Sequence, residues 1–126
     1  THDTVARVLA HLYAIGIKPD WWKLEPQSDA AAWQKIGATI ETNDPLCRGI
    51  VVLGLDRPLA ELQAAFKAAR ATPWVKGFAI GRSIFGSVAE DWFANRIDDA
   101  AAIEQMATRY AHFCTLWHNA AQRIEA

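Results

Sequence analysis

Apolar residues follow two patterns that alternate along the chain. Helical spacing predicts helices over 3–14, 30–41, 58–71 and 83–94, and a final long helix from Asp98 or Asp99 close to Ile124. Between the first four of these helices lie three short apolar runs, which predict strands over 20–25, 49–54 and 75–81. The second run lacks polar alternation, which is typical of a strand covered on both faces.

The resulting order α-β-α-β-α-β-α-α predicts a parallel sheet with right-handed crossovers. Three strands do not close a sheet, and a whole (β/α)₈ barrel takes roughly 250 residues. We therefore expect the C-terminal half of a (β/α)₈ TIM barrel, with 1–126 forming one partial barrel domain and the upstream half of the barrel absent. Because the edges of such a sheet need a cover, we expect a homo-oligomer or association with the missing barrel half.

The composition of the chain argues against several classes of function. A net charge of −1 gives no electrostatic footprint for nucleic acid or an anionic membrane, and the longest apolar runs are too short to span a bilayer. Two cysteines without a partner motif, and no visible secretory signal, predict reduced thiols in a cytoplasmic protein. The four histidines show no metal-ligand spacing, so we expect neither a metal nor another cofactor.

Candidate chemistry lies near the C-terminal ends of the predicted strands, where α/β proteins bind their ligands. Lys23 and Glu25 are two residues apart on the first strand and therefore share one face, which Trp21 shares too. One interpretation places Lys23 and Glu25 in a catalytic site, where Lys23 is a Schiff-base nucleophile for a carbonyl substrate. The alternative is a structural ion pair between Lys23 and Glu25 inside a barrel. A nearby carboxylate favours the charged form of a lysine, so Glu25 by itself favours the structural alternative.

The end of the third strand predicts an anion site. Gly81 lets backbone and ligand approach closely, and Arg82 and Ser83 open a helix whose first N–H groups carry partial positive charge. Arg82 is suited to bind phosphate oxygens through two N–H groups. The alternative is a tight turn with Arg82 in a surface ion pair. After the second strand, Gly54 has room for a phosphate, whereas Asp56 is interpreted as a helix cap.

Three segments together resemble a known family. They are KPDWWKLEP from Lys18, RGIVVLGLD from Arg48 and KGFAIGRSIF from Lys76. These segments are similar to the aldolase-like domain that follows the sugar kinase in many bacterial 5-dehydro-2-deoxygluconokinases of myo-inositol catabolism. The resemblance covers the chain from Gly16 to Trp117.

This resemblance implies a class I aldolase-type barrel in which Lys23 lies on the sixth strand and forms the imine. It also implies that Gly54, Gly81 and Arg82 hold phosphate, and that strands one to five and a sugar kinase domain lie upstream. The implied reaction is carbon–carbon cleavage of a phosphorylated keto sugar acid. Two rival interpretations are a catalytically silent domain that binds a phosphosugar and regulates the kinase, and a structural barrel that mediates oligomerisation.

Overall fold

The computed structural model describes residues 3–54, 59–70 and 72–122. It contains the elements α1 Thr4–Ala14, β1 Trp21–Leu24, α2 Ala30–Asn43, β2 Gly49–Leu53, α3 Leu59–Ala69, β3 Val75–Ala79, α4 Arg82–Phe93 and α5 Asp99–Gln122. The predicted order of helices and strands is confirmed, and each strand is one or two residues shorter than predicted.

The three strands form one parallel sheet in the order β1-β2-β3, with β2 in the centre. In β1 and β2, Trp22 pairs with Ile50 and Leu24 with Val52. The pairing of β2 with β3 is irregular between Ile50 and Val51 and then continues with Val52 opposite Phe78. The mixed α/β class with a parallel sheet is thereby confirmed.

Helices cover one face of this sheet. The side chains of Trp22, Leu24, Ile50 and Val52 point to that face and are buried. They join a single core with apolar residues of the helices, which include Leu9, Trp33, Ile36, Ile40, Leu62, Phe66, Phe113 and Trp117. Burial of apolar surface is worth about 25 cal/mol per Å², so we expect this covered face to supply most of the stability of the fold.

Capping side chains and one glycine define the ends of several helices. The Asp29 side chain accepts a hydrogen bond from the Ala32 N–H at 2.8 Å and caps α2. Asp98 does the same for α5 through the Ala101 N–H, also at 2.8 Å. Gly16 has a φ of 89° and lies just beyond the end of α1, where a glycine takes this conformation without a steric penalty. Asp56, the predicted cap of α3, lies outside the described residues.

The opposite face of the sheet is partly open to solvent. We call it the open face, and it consists of Trp21, Lys23, Val51, Leu53, Gly77 and Ala79. The Trp21 side chain is 46% exposed, and a methyl group added at Gly77 would meet nothing within 4 Å. The prediction that the second strand is covered on both faces therefore holds for one face only. Val51 and Leu53 are only half-buried, because the described helices pack on the opposite face of the sheet.

Candidate functional site

A cavity of about 280 Å³ lies at the C-terminal ends of the three strands. The strands and the residue after β2 contribute Lys23, Leu53, Gly54 and Ala79 to its lining. The start of α4 contributes Gly81, Arg82, Ser83 and Phe85. Parallel strands end at the same edge of a sheet, which is why residues about 60 positions apart in the sequence meet here. We call this space the strand-end cavity.

Five of the six site residues predicted from sequence line the strand-end cavity, namely Lys23, Gly54, Gly81, Arg82 and Ser83. Glu25 does not line it. Glu25 borders a different cavity, which lies against α1 and is shared with Val5, Val8 and Lys23. Proximity in space is thus established for the five residues, while their chemical roles remain predictions.

Glu25 lies just beyond the end of β1 at Leu24, two residues after Lys23. Both side chains are exposed, and among the described residues they form no ion pair with each other. The structure therefore gives no support to a Lys23–Glu25 ion pair, and the interpretation of such a pair inside a closed barrel stays a prediction. The geometry also gives no support to Glu25 as a partner of Lys23 in the strand-end cavity.

Lys23 reaches the cavity from the open face of the sheet. Its Cα pairs with Val51, which in turn pairs with Gly77, so the neighbours across the sheet become smaller towards β3. Leu53 and Ala79 form the next row towards the C-terminal ends of the strands. Small residues on this side leave space for a ligand between Lys23 and the start of α4.

The start of α4 presents unpaired backbone donors. Gly81 is the N-cap residue and provides no side-chain cap, and no acidic residue lies in the first turn. The Gly81 carbonyl accepts hydrogen bonds from the N–H groups of Ile84 at 2.8 Å and Phe85 at 3.1 Å. The N–H groups of Arg82 and Ser83 lie in the first turn, where a helix leaves its backbone donors without intrahelical partners. These donors suit an anion.

Arg82 is available for a ligand. Its side chain is exposed and makes no ion pair with any residue in the described part of the chain. The alternative interpretation of Arg82 in a surface ion pair is therefore not supported. Among the described residues, Lys23 and Arg82 are the two charged side chains that line the strand-end cavity, and no described carboxylate joins them. Two cationic side chains and the start of a helix give this cavity a positive potential.

The two glycines of the site also have packing roles. A methyl group added at Gly54 would lie 2.8 Å from Ile80 Cγ1, which is closer than real side chains approach. One added at Gly81 would lie 3.1 Å from Phe85 Cε1. Gly54 therefore allows the ends of β2 and β3 to lie close together, and Gly81 allows the Phe85 ring to lie over the start of α4.

Phe85 is the site residue that sequence reasoning missed as a lining group. Its side chain is 45% exposed and lines the strand-end cavity beside Gly81. Residues three and four apart on a helix share a face, so the spacing from Arg82 to Phe85 carries a signal that identifies it. Phe85, Leu53 and Ala79 give the cavity an apolar side that suits a short carbon skeleton.

Other reactive groups lie elsewhere or have a different chemistry. Burial raises the pKa of the Cys47 thiol above its ordinary value, which disfavours the nucleophilic thiolate. Among the described residues, no group of three or more His, Cys, Asp or Glu side chains is arranged to hold a metal ion. A larger cavity of about 420 Å³ between α4 and α5 is lined mainly by apolar residues, including Val88, Trp92 and Phe93. Lys23 and Arg82 together line the strand-end cavity and do not line this larger cavity.

Comparison with known proteins places the chain in a family. Within the described ranges, no helix has both the length and the apolar character needed to cross a membrane. No curated protein and no solved structure matches the chain. Residues 1–121 match a family described as "Uncharacterized protein conserved in bacteria (DUF2090)". Because this match spans nearly the whole sequence, the chain belongs to the DUF2090 family of bacterial proteins.

Proposed function

We propose that this chain is an aldolase-like sugar-phosphate domain that binds a phosphorylated keto sugar or sugar acid in the strand-end cavity. The observation that carries the proposal is the convergence of Lys23, Arg82 and the start of α4 on one cavity. The phosphate binds to Arg82 and to the first N–H groups of α4, and the carbonyl group of the ligand points to Lys23.

The dimensions of the sheet fit such a ligand. Neighbouring strands lie about 4.8 Å apart, so β1 and β3 are separated by roughly 10 Å. Lys23 on β1 and the start of α4 beyond β3 are therefore placed to bind two different groups of one small molecule. A sugar phosphate with its carbonyl a few bonds from the phosphate has this arrangement. The apolar side chains of Leu53 and Phe85 then contact the carbon chain between the two groups.

For catalysis, the Lys23 amine attacks the substrate carbonyl and water leaves, which gives a protonated imine. The imine accepts the electron pair of the bond between the α and β carbons of the substrate as that bond breaks, and an enamine forms on Lys23. A base removes the proton of the substrate hydroxyl group, which becomes the carbonyl of one product. Protonation of the remaining enamine and hydrolysis of the imine release the other product and restore Lys23.

We further propose that the open face is covered in the working protein, either by the remaining strands of a (β/α)₈ barrel or by another protein copy. Parallel sheets are normally covered on both faces, whereas Trp21 and Lys23 are exposed here. A nucleophilic lysine needs burial or nearby positive charge, and a covering wall provides the burial. We propose that the same wall supplies the base, since the described lining of the cavity contains no carboxylate or imidazole.

A second candidate function requires no base and uses only the cationic groups that line the strand-end cavity. A domain that binds a phosphosugar without turning it over needs only the cationic cavity. Attached to a sugar kinase, such a domain would regulate the kinase or mediate its oligomerisation. The imine distinguishes the two functions, since only the first requires a covalent bond to Lys23.

The experiment is borohydride reduction of the protein in its full natural length with dihydroxyacetone phosphate and with phosphorylated keto sugar acids. An aldolase is expected to gain the mass of the reduced ligand on the peptide that contains Lys23. The Lys23→Arg variant, which keeps the charge but does not form the imine, is expected to gain nothing. If the protein binds these ligands but forms no adduct, the aldolase function is ruled out and the catalytically silent binding domain is favoured.

A further inference from the structure

Helix α4 carries much of the strand-end cavity but is weakly anchored to the rest of the fold. Val88 is the one buried residue of α4, and the helix packs mainly against α5. Arg82 and Ser83 lie in its first turn, at the end that faces Lys23. The position of these two residues relative to the strands therefore depends on the contact between α4 and α5.

One polar contact joins α5 to the first turns of α4. Arg109 on α5 is half-buried, and its Nη1 donates hydrogen bonds to the Ser87 Oγ at 2.8 Å and to the Ile84 carbonyl at 3.3 Å. The Ile84 N–H donates in turn to the Gly81 carbonyl at 2.8 Å. A chain of two hydrogen bonds thus links Arg109 to the N-cap of α4, and hydrogen bonds from a charged donor are the stronger ones.

There is room for α4 to move if this contact is lost. A cavity of about 390 Å³ lies beside it, lined by Ser83, Thr108, Arg109, His112 and Phe113. Ser83 borders both this cavity and the strand-end cavity. The first turn of α4 therefore lies between two open spaces, and Ile84 is the residue of this turn that packs against the core.

We propose that Arg109 is a positioning residue for the anion site, holding the first turn of α4 where Arg82 and the helix N–H groups meet the ligand. This inference rests on the proposed function. Arg109 does not line the strand-end cavity, so its effect on a ligand passes through α4. Loss of the contact displaces the first turn of α4 and weakens anion binding, while Arg82 itself remains present.

The test compares four variants by amide NMR, with inorganic phosphate as the probe. Arg109→Met removes the donor, and Ser87→Ala removes one acceptor without changing the charge. Arg109→Lys is the rescue variant, because both acceptors bond to a single nitrogen that a lysine ammonium replaces. Arg96→Met is the matched control, because Arg96 also bonds to α4, at Asp91, but far along the helix from the site.

We expect Arg109→Met to raise the phosphate dissociation constant roughly three- to tenfold, the effect of about one hydrogen bond. Ser87→Ala should show a smaller rise, Arg109→Lys a value near that of the wild type, and Arg96→Met no change. In the ligand-free protein, the amide signals of Arg82 and Ser83 should move in Arg109→Met. A loss of overall stability would not produce this local change.

Two outcomes overturn the inference. One is Arg109→Met with an unchanged dissociation constant and unmoved Arg82 and Ser83 signals. The other is an equal loss of affinity in Arg96→Met, which would make the effect one of charge or general helix stability. If the wild type binds no phosphate but the Arg82 and Ser83 signals still move in Arg109→Met, the positioning contact stands and the proposed function fails.

Discussion

The two faces of the same three-stranded sheet differ in burial and in whether they contribute to the candidate site. The face under the helices holds Trp22, Leu24, Ile50 and Val52, all of them buried. The open face holds Lys23 and small residues such as Gly77 and Ala79, and its side chains are exposed or half-buried. Alternation along each strand thus separates the residues that stabilise the fold from those that form the candidate site.

The two faces of the sheet are therefore expected to differ in how well they tolerate substitutions. Bulky side chains on the covered face fill the space between sheet and helices, so their removal leaves a cavity. On the open face, the small residues Gly77 and Ala79 leave space beside Lys23.

The largest expected effect concerns association through the open face. A parallel sheet with one exposed face and two unpaired edges is expected to bind a partner, and we propose that this chain associates with a dissociation constant of about 1 μM or lower, roughly −8 kcal/mol. Sedimentation velocity at micromolar concentration should show a dimer or a larger species. Val51→Asp, which places a charge on the open face, should give monomers. A wild-type monomer at this concentration would contradict the proposal.

The next effect contrasts two neighbouring valines on β2. Val52 is fully buried on the covered face, and Val51 is half-buried on the open face. Val52→Ala should lower the free energy of unfolding by roughly 2–3 kcal/mol through lost burial and the cavity left behind. Val51→Ala should lower it by less than about 1 kcal/mol. Urea denaturation measures both, and equal losses would show that the open face is covered like the other.

Arg82 tests the chemistry of the cavity. Arg82→Ala should weaken phosphate binding by about 1.5–3 kcal/mol, the range for a hydrogen bond to a charged group. The free energy of unfolding of the Arg82→Ala variant should change little, because the Arg82 side chain is exposed and makes no ion pair within the described structure. Calorimetric titration with inorganic phosphate gives the affinity, with Arg96→Ala as the control for lost positive charge. Equal affinities in wild type and Arg82→Ala would remove Arg82 from the site.

The smallest expected effect concerns Phe85. Phe85→Ala should weaken the binding of a phosphosugar by about 0.5–1 kcal/mol through lost apolar contact, while the affinity for inorganic phosphate should stay unchanged. The pair of titrations separates contact with the carbon chain from contact with the phosphate. A loss of the same size for both ligands would mean that Phe85 acts by shaping the start of α4.

Much of the fold was predictable because local pattern and tertiary structure agree. Alternation from Trp21 to Leu24 correctly assigns Trp22 and Leu24 to the helix-covered face and Lys23 to the other. Gly81-Arg82-Ser83 after a strand correctly predicts a helix start at the C-terminal edge of the sheet. The motif and the topology together bring Lys23 and Arg82 to one cavity.

Other features depend on contacts that the sequence does not encode locally. The end of β1 is set by its pairing with β2, whose last partner in β1 is Leu24. Glu25 lies beyond that end and does not line the strand-end cavity. Apolar residues in β2 do not reveal that only one of its faces is covered. Arg109 lies 25 residues from the Ile84 carbonyl that it contacts, and no pattern links the two.

The most direct test of the central claim is a crystal structure of the protein with dihydroxyacetone phosphate. The proposed site predicts phosphate oxygens at about 2.7–3.2 Å from the Arg82 guanidinium and from the first N–H groups of α4, with the ligand carbonyl directed at Lys23 Nζ. A phosphate bound away from the strand-end cavity, or a carbonyl directed away from Lys23 into solvent, would contradict the account.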